Sequence, residues 1–258
     1  MNGTPRVRVQ LCGRLAAEID GRRIEHDLPG RPGRLLFAYL TVNRDRVVSR
    51  DELVEAVWPD GAPKAVDGDL RSLLSKTRRA TGSQALGLRS RFRLDLPDDA
   101  WIDVEVAGQA VHQAEAAASA QDWPRAWAAS NAALCTARRP FMAGEGAAWI
   151  LEWRTQLEGM ESRALECYAA ASLGIGGSEL SAGERAARLL VRKEPYRESG
   201  HRLLMETLVA QGNDAEAIHI YAELRRLLRE QLGINPSPST QALHKRLLGP
   251  GLIADVAH

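Results

Sequence analysis

The sequence predicts a mainly α-helical fold with a small amount of β-structure, divided between two domains. Its 258 residues, 45% hydrophobic and 26% charged, are enough for two modest globular domains. Short stretches of alternating apolar residues lie before Pro97, whereas Ala, Leu and Trp recur at helical spacing from Val104 to Leu248. Residues 1–97 hold 18 Lys and Arg and 12 Asp and Glu, and residues 98–258 hold 16 and 21. A basic first domain joined to an acidic second one is typical of a chain that binds a polyanion through its first part.

The first predicted element is a small antiparallel sheet. Val7, Val9 and Leu11 alternate with polar residues, as in a half-buried strand, and residues 14–19 repeat the pattern. The pair Asp20-Gly21 is then a strong tight-turn signal, so that the residues after it, 22–25, can return as a third strand.

Two helices follow the sheet. Pro32 is tolerated at a helix start, and the apolar run at 35–42 continues from it. Ser49 and Glu52 form a capping box, in which the two side chains satisfy free amides at the start of a helix. The second helix is predicted to end at Trp58, because a proline follows.

The third helix is predicted over residues 67–82 and has two distinct faces. At about 100° per residue its three leucines and Thr77 form one buried stripe. The opposite face carries cations and small residues, which suits a helix in a DNA groove, where cations bind phosphates and guanine edges. The same face is also compatible with a solvated helix whose arginines serve solubility. It consists of Gly68, Arg71, Ser72, Ser75, Lys76 and Arg79, with Arg78 on its flank.

A second hairpin closes the first domain. Residues 86–88 and 92–96 are predicted to form two short strands, with Arg89 and Arg91 between them. Strands, three helices and a hairpin in this order predict an N-terminal winged helix-turn-helix, with the hairpin as the wing. The predicted domains are residues 1–97 and residues 98–258.

The second domain is predicted to be all α-helical, with a repeat like that of tetratricopeptide proteins. The stretch QDWPRA at 121–126 aligns with GNDAEA at 212–217, and each closes one helix at a polar corner and opens the next. Arrays of such helix pairs provide binding surfaces rather than catalytic groups. The residues expected to fill gaps between helical layers are Trp123, Trp127, Trp149 and Trp153.

Several classes of function find no support in the chain. No apolar run approaches the length that spans a membrane, and Cys12, Cys135 and Cys167 are too widely spaced for a metal site or a disulfide framework. The histidines lack partners at metal-ligand spacing, and no nucleotide-binding motif or catalytic constellation is evident. We therefore predict no membrane association, no metal, no cofactor and no enzymatic activity. The three cysteines are interpreted as reduced thiols, which predicts a cytoplasmic protein.

Both domains resemble one family of bacterial regulators. The stretches VVSRDELVEAVWPDG and LRSLLSKTRRATG resemble the positioning and recognition helices of the Streptomyces antibiotic regulatory protein family, whose winged helix is similar to that of OmpR and PhoB. The wing is shorter here than is usual in that family. In the second domain, EQLGINPSPST resembles the bacterial transcriptional activation domain that accompanies the winged helix. The resemblance covers residues 6–248 in the family's order.

The resemblance implies a sequence-specific DNA-binding transcriptional activator. Such a protein is expected to bind direct repeats in promoter DNA as a homodimer, with half-sites about one helical turn apart. It is also expected to recruit RNA polymerase holoenzyme and to control a biosynthetic gene cluster for a secondary metabolite such as an antibiotic. An alternative stays open, in which the chain is a protein-interaction adaptor of the tetratricopeptide type whose winged helix docks protein rather than DNA.

The candidate site residues fall into three groups. The groove contacts are expected from Arg71, Ser75, Lys76 and Arg79. Contacts with phosphate are expected from Ser72 and Arg78, from Ser49 and Arg50 at the start of the second helix, and from Arg89 or Arg91 in the wing. By resemblance, the loop that faces RNA polymerase contains Trp58, Asp60 and Lys64.

Overall fold

A computed structural model describes residues 6–82 and 91–252 of the chain. The structure is mainly helical with little strand, in agreement with the prediction. The elements up to residue 102 are β1 (Val7–Gln10), β2 (Ala16–Ile19), β3 (Arg22–Arg23), α1 (Gly30–Val42), β4 (Val48–Ser49), α2 (Arg50–Val57), α3 (Val66–Thr81), β5 (Arg91–Phe92) and β6 (Trp101–Ile102). The later helices are α4 (Asp103–Ser119), α5 (Trp123–Ala137), α6 (Ala148–Ile175), α7 (Leu180–Lys193), α8 (Glu198–Ala210), α9 (Asp214–Leu232) and α10 (Pro238–Leu252).

The N-terminal strands form a four-stranded sheet in the order β3-β2-β1-β6. Asp20 and Gly21 join β2 to β3 with positive φ values of 49° and 78°, which confirms the predicted tight turn. The third strand is shorter than predicted and contains only Arg22 and Arg23. The prediction lacks β6, which runs parallel to β1 and pairs Trp101 with Arg8. A parallel neighbour needs a long crossover connection, and here the helices between the two strands provide it.

The chain divides into two compact units, and the division differs from the predicted boundary after Pro97. The first unit contains residues 1–106 and 136–158, and the second contains 107–135 and 159–258. Residues beyond 97 belong to the first unit because they complete its sheet and its core. Strand β6 lies beside β1, and the buried Phe141 forms an antiparallel bridge with Cys12.

Asp103 ties the sheet to the first turn of α4. The side chain is buried, and its two oxygens accept hydrogen bonds from the backbone N–H groups of Leu11 (3.0 Å), Cys12 (2.8 Å) and Val104 (2.9 Å). Burial raises the pKa of Asp103. Burial, and secondarily the neighbouring Asp103 carboxylate, raises the pKa of the Cys12 thiol. Cys12 is therefore a neutral, packed side chain, as expected for a structural thiol.

Within the second unit, the two corners that the sequence aligns are built alike. At the first corner, the backbone N–H groups of residues 121, 122 and 126 donate to the carbonyls of residues 118, 117 and 122. At the second corner, the equivalent donors 212, 213 and 217 use the carbonyls of 209, 208 and 213. The sixth residue of each stretch, Ala126 and Ala217, is completely buried. A small side chain at this position lets the paired helices pack closely.

The four tryptophans divide between the two units. Trp123 lies against Gly174 so closely that a Cβ atom at Gly174 would be 2.5 Å from the indole ring, and Trp127 packs on Tyr168 with a centroid distance of 5.8 Å. Trp149 and Trp153 instead pack in the first unit, where both contact Phe141. The expectation that all four lie between layers of the second domain is thus wrong for Trp149 and Trp153. Sequence spacing shows that a tryptophan is on a helix, but not which part of the chain it packs against.

Candidate nucleic-acid interface

The helix α3 has the two faces that its sequence predicts. Leu70 and Leu73 are 4% and 7% exposed, and Thr77 is fully buried, whereas Leu74 is half-buried at the edge of the stripe. Gly82 ends the helix with a φ of 65°, which confirms the predicted stop. The residues on the opposite face are all exposed, namely Gly68, Arg71, Ser72, Ser75, Lys76, Arg78 and Arg79.

The basic face of α3 is available for an anionic partner. Within residues 6–82 and 91–252, no carboxylate lies at ion-pair distance from Arg71, Lys76 or Arg79. The acids of α3, Asp67 and Asp69, occupy its first turn, where the helix dipole favours negative charge. Positive charge therefore accumulates over the middle and the last turns of the helix.

The helix α2 begins with the predicted capping box. The Ser49 hydroxyl accepts a hydrogen bond from the backbone N–H of Glu52 at 3.3 Å, and the Glu52 carboxylate accepts from the backbone N–H of Ser49 at 3.4 Å. Tyr39 of α1 donates to the same carboxylate at 2.6 Å, and Arg46 forms an ion pair with it. The hydrogen bond from Arg46 is the largest of the effects that lower the pKa of Glu52 to about 2. The acid of the capping box is thus ionised and held from three sides.

Ser49→Ala is expected to lower the free energy of unfolding by about 1 kcal/mol, because it removes the side-chain cap of α2. Ser75→Ala is the matched control, since Ser75 lies exposed in the middle of α3, where alanine is a good helix former. Urea unfolding of both variants measures the difference. Equal stability of the two variants would contradict the capping role of Ser49.

Arg50 was expected to contact phosphate, but its guanidinium group is paired with two carboxylates. Its Nε and Nη2 atoms lie 3.0 and 2.5 Å from Asp67 Oδ1, and its Nη1 atom lies 2.8 Å from Asp51 Oδ1. The hydrogen bond from Arg50 is also the main reason why the pKa of Asp67 is lowered. Arg50 therefore joins the start of α2 to the start of α3, and its charge is shared with two carboxylates.

The strands β4 and β5 pair antiparallel, with Val48 opposite Phe92 and Ser49 opposite Arg91. Phe92 is buried and Arg91 is exposed, so the pairing places Arg91 beside the start of α2. The prediction lacks β4, although the β-branched pair before Ser49 is the signal that could have revealed it. The predicted strand 86–88 and Arg89 lie outside the described residues.

The loop between α2 and α3 contains the three residues expected to face polymerase. Trp58 is half-buried, and its backbone N–H donates to the carbonyl of Val54 at 2.9 Å. Asp60 is exposed and lies 3.2 Å from Arg31, and Lys64 is exposed. Gly61 has a φ of 121°, which favours glycine at this position.

Arg22 lies in a cleft beside the last turn of α3, a position that no sequence pattern reveals. Arg22, at the tip of the β2–β3 hairpin, donates to the carbonyl of Ala80 at 2.5 Å and pairs with Asp27 at 2.6 Å. Because Arg22 and Ala80 are far apart in the chain, no local pattern predicts their contact. The cleft is lined by Arg22, Asp27, Pro29, Lys76, Arg79 and Ala80.

Other chemistry is not apparent in the described part of the chain. Among these residues, no group of three or more His, Cys, Asp or Glu side chains is arranged to hold a metal ion. No helix within them is long and apolar enough to cross a membrane.

Comparisons with known proteins point to transcription. The family model of the bacterial transcriptional activator domain matches residues 102–248. Regulatory protein AfsR of Streptomyces griseus is 28% identical over 215 residues, which is 83% of this chain and 22% of that protein. Transcriptional regulatory protein EmbR of Mycobacterium tuberculosis is 27% identical over 251 residues, 92% of this chain and 62% of that protein.

A solved structure shares the fold. The structure of Mycobacterium tuberculosis EmbR in complex with a low affinity phosphopeptide has a TM-score of 0.79 and 24% sequence identity, and the match covers 95% of this chain and 65% of that one. The chain thus spans about a fifth of the length of the Streptomyces griseus relative and somewhat under two thirds of the mycobacterial one.

Proposed function

The chain belongs to the bacterial transcriptional activator domain family, among regulators of the Streptomyces antibiotic regulatory protein type, and from this premise we propose that it activates transcription by binding promoter DNA sequence-specifically. The premise rests on the match over residues 102–248 and on relatives that are named as transcriptional regulators. Its relatives are regulators rather than enzymes.

We assign DNA binding to a winged helix-turn-helix within residues 1–97. The helices α2 and α3 are its helix pair, and the hairpin predicted over residues 86–96, of which the structure describes residues 91–96, is its wing. The observation that carries the assignment is the exposed basic face of α3. Long cations and small hydroxyls on one helix face allow close approach to a groove, with Arg71, Ser75, Lys76 and Arg79 directed at base edges. Ser72, Arg78, Ser49 and Arg91 then contact phosphates, and Arg50 does so only if it leaves Asp67.

We assign binding of protein partners to the helix pairs within residues 98–258 and to the loop from Trp58 to Lys64. The repeated corners support a tetratricopeptide-like layout, because their hydrogen-bond patterns are the same. On DNA, two copies bind direct repeats about one helical turn apart and present their loops to RNA polymerase holoenzyme. The regulated genes are those of a secondary-metabolite cluster, and the protein acts in the cytoplasm.

Footprinting on the promoters next to its own gene, with and without RNA polymerase, tests this function. Protection of two direct half-sites, extended when polymerase is added, is the expected result. Protection only in the presence of polymerase, or none at all, would contradict DNA binding and favour the protein-interaction adaptor.

Arg71→Ala is expected to weaken binding to the protected duplex by about 1–3 kcal/mol and to leave binding to a scrambled duplex nearly unchanged, because Arg71 reads a base edge. A titration on both duplexes measures the two affinities. An equal loss on both would place Arg71 on phosphate, and an unchanged affinity on both would remove it from the interface.

A further inference from the structure

We infer that the segment 141–149, which lies within the match to the activator-domain family, fixes the position of the loop between α2 and α3. It does so through contacts with the end of α2 and, by way of Arg31, with the loop itself. This segment, here the bracing segment, belongs to the first compact unit together with α1, α2 and the loop. The inference rests on the proposed function in one respect: the loop has a partner in the transcription machinery. The positioning itself is a property of the free protein.

The main contact of the bracing segment joins Trp149 to the last turn of α2. Its indole N–H donates to the carbonyl of Ala56 at 3.1 Å. Ala56 lies in the last turn of α2, where the regular N–H donors of a following turn are missing and a carbonyl can accept from a donor outside the helix. Helix α2 ends one residue later, at Val57, so the indole fixes the point and the direction from which the loop starts.

Ring packing holds this indole in place. The Trp149 ring meets Tyr39 of α1 edge to face at a centroid distance of 5.0 Å, and Phe141 at 5.9 Å. Edge-to-face contacts of this kind are favourable beyond the apolar area that they bury. The N–H donor is therefore pre-oriented toward α2 rather than free to rotate.

A second link reaches the loop itself. The Arg31 side chain lies between two carboxylates, with Nε 2.7 Å from Glu145 and Nη1 3.2 Å from Asp60. The side chain of Glu145 is 12% exposed, whereas that of Asp60 is 84% exposed. Arg31 is thus fixed by the bracing segment and in turn restrains Asp60. Since exposed ion pairs contribute little, this link is weaker than the one through Trp149.

The bracing segment is itself firmly anchored. Arg154 of α6 donates to three backbone carbonyls, those of Phe141 at 3.0 Å, Met142 at 3.0 Å and Glu145 at 2.7 Å. The backbone N–H of Met142 also donates to the carbonyl of Leu11 beside the N-terminal sheet, at 2.9 Å. A segment held at Phe141, Met142 and Glu145 and continued by α6 can act as a rigid support for the loop.

Amide hydrogen exchange of the full chain tests the inference in Trp149→Phe and Glu145→Gln. The phenylalanine keeps an aromatic ring but removes the N–H donor, and glutamine removes the charge that holds Arg31. We expect the backbone amides of Trp58 and Gly61, which are hydrogen-bonded to the carbonyls of Val54 and Trp58, to exchange about threefold faster or more in Trp149→Phe, and to change less in Glu145→Gln. Trp153→Phe is the matched control, one turn along α6, and is expected to leave exchange of the loop unchanged. Wild-type exchange in the loop of Trp149→Phe would overturn the inference.

A functional readout separates positioning from a general loss of structure. In Trp149→Phe, affinity for the footprinted duplex is expected to stay within about twofold of wild type, while transcript yield with RNA polymerase falls severalfold. A parallel loss of affinity and transcript would overturn the inference. If wild-type protein binds no DNA, the proposed function fails, and the exchange experiment still decides whether the bracing segment positions the loop.

Discussion

Replacing Arg71, Lys76 and Arg79 together by alanine is expected to weaken binding to the promoter duplex by about 3 kcal/mol or more, roughly a hundredfold, because each cation contributes a contact with a base edge or a phosphate. All three side chains are exposed, and alanine is the strongest helix former. The fold of α3 is therefore expected to survive the change, and circular dichroism checks that it does. Fluorescence anisotropy on the footprinted duplex measures the loss.

The matched control for this variant removes the same number of positive charges from another helix. Arg225, Arg226 and Arg229 are exposed on α9, in the second unit. Their joint replacement by alanine also removes three positive charges, and it is expected to weaken binding by no more than a few-fold through the net charge alone. A control variant that loses as much affinity as the α3 variant would show that the effect is one of overall charge, and α3 would not be the interface.

Phe141→Ala is expected to lower the free energy of unfolding of the first unit by about 3–5 kcal/mol. Phe141 is 0% exposed, stacks on Trp153 at 5.5 Å and meets Trp149 edge to face. Its removal leaves a cavity that the two surrounding indole rings fill only in part. Urea unfolding followed by tryptophan fluorescence and circular dichroism measures the change.

Phe141 links the core of the first unit to a part of the chain far from the N-terminal elements. It follows the predicted boundary by more than forty residues, yet it packs in the unit that carries α2 and α3. Leu151→Ala is the control, because Leu151 is 50% exposed on the neighbouring helix α6 and its truncation is expected to change stability by less than about 0.5 kcal/mol. If Phe141→Ala is no more destabilising than Leu151→Ala, residues 136–158 are not part of the core of the first unit.

Local features of the fold are predictable from the sequence because their causes lie within a few residues. The turn at Asp20-Gly21 depends on two adjacent positive φ angles, and the capping box depends on Ser49 and Glu52 three residues apart. The two faces of α3 follow from helical periodicity alone. These elements position the proposed DNA interface, which is why its main residues could be chosen before the structure was known.

Features that depend on distant pairing are not predictable in this way. Strand β6 contains only two residues and exists because β1 offers it an unpaired edge. Arg50 has the position and charge of a phosphate contact, yet Asp67, seventeen residues later, pairs with it. Helical spacing does not distinguish Trp149 from Trp127. Trp127 nevertheless packs in the second unit, whereas Trp149 lies in the first unit and donates to a carbonyl in the last turn of α2. In each case the deciding partner is set by tertiary structure.

The dependence of binding on salt concentration tests the central claim most directly. The logarithm of the affinity for the footprinted duplex is expected to fall linearly with the logarithm of the salt concentration, with a slope of about −0.9 for each phosphate neutralised. In the α3 variant lacking Arg71, Lys76 and Arg79, the slope is expected to become shallower by an amount equal to about one for each of these cations that binds phosphate. At every salt concentration, wild-type protein is expected to prefer the footprinted duplex to a scrambled one. No association at low salt, or equal affinity and slope for wild type and the α3 variant, would contradict the account.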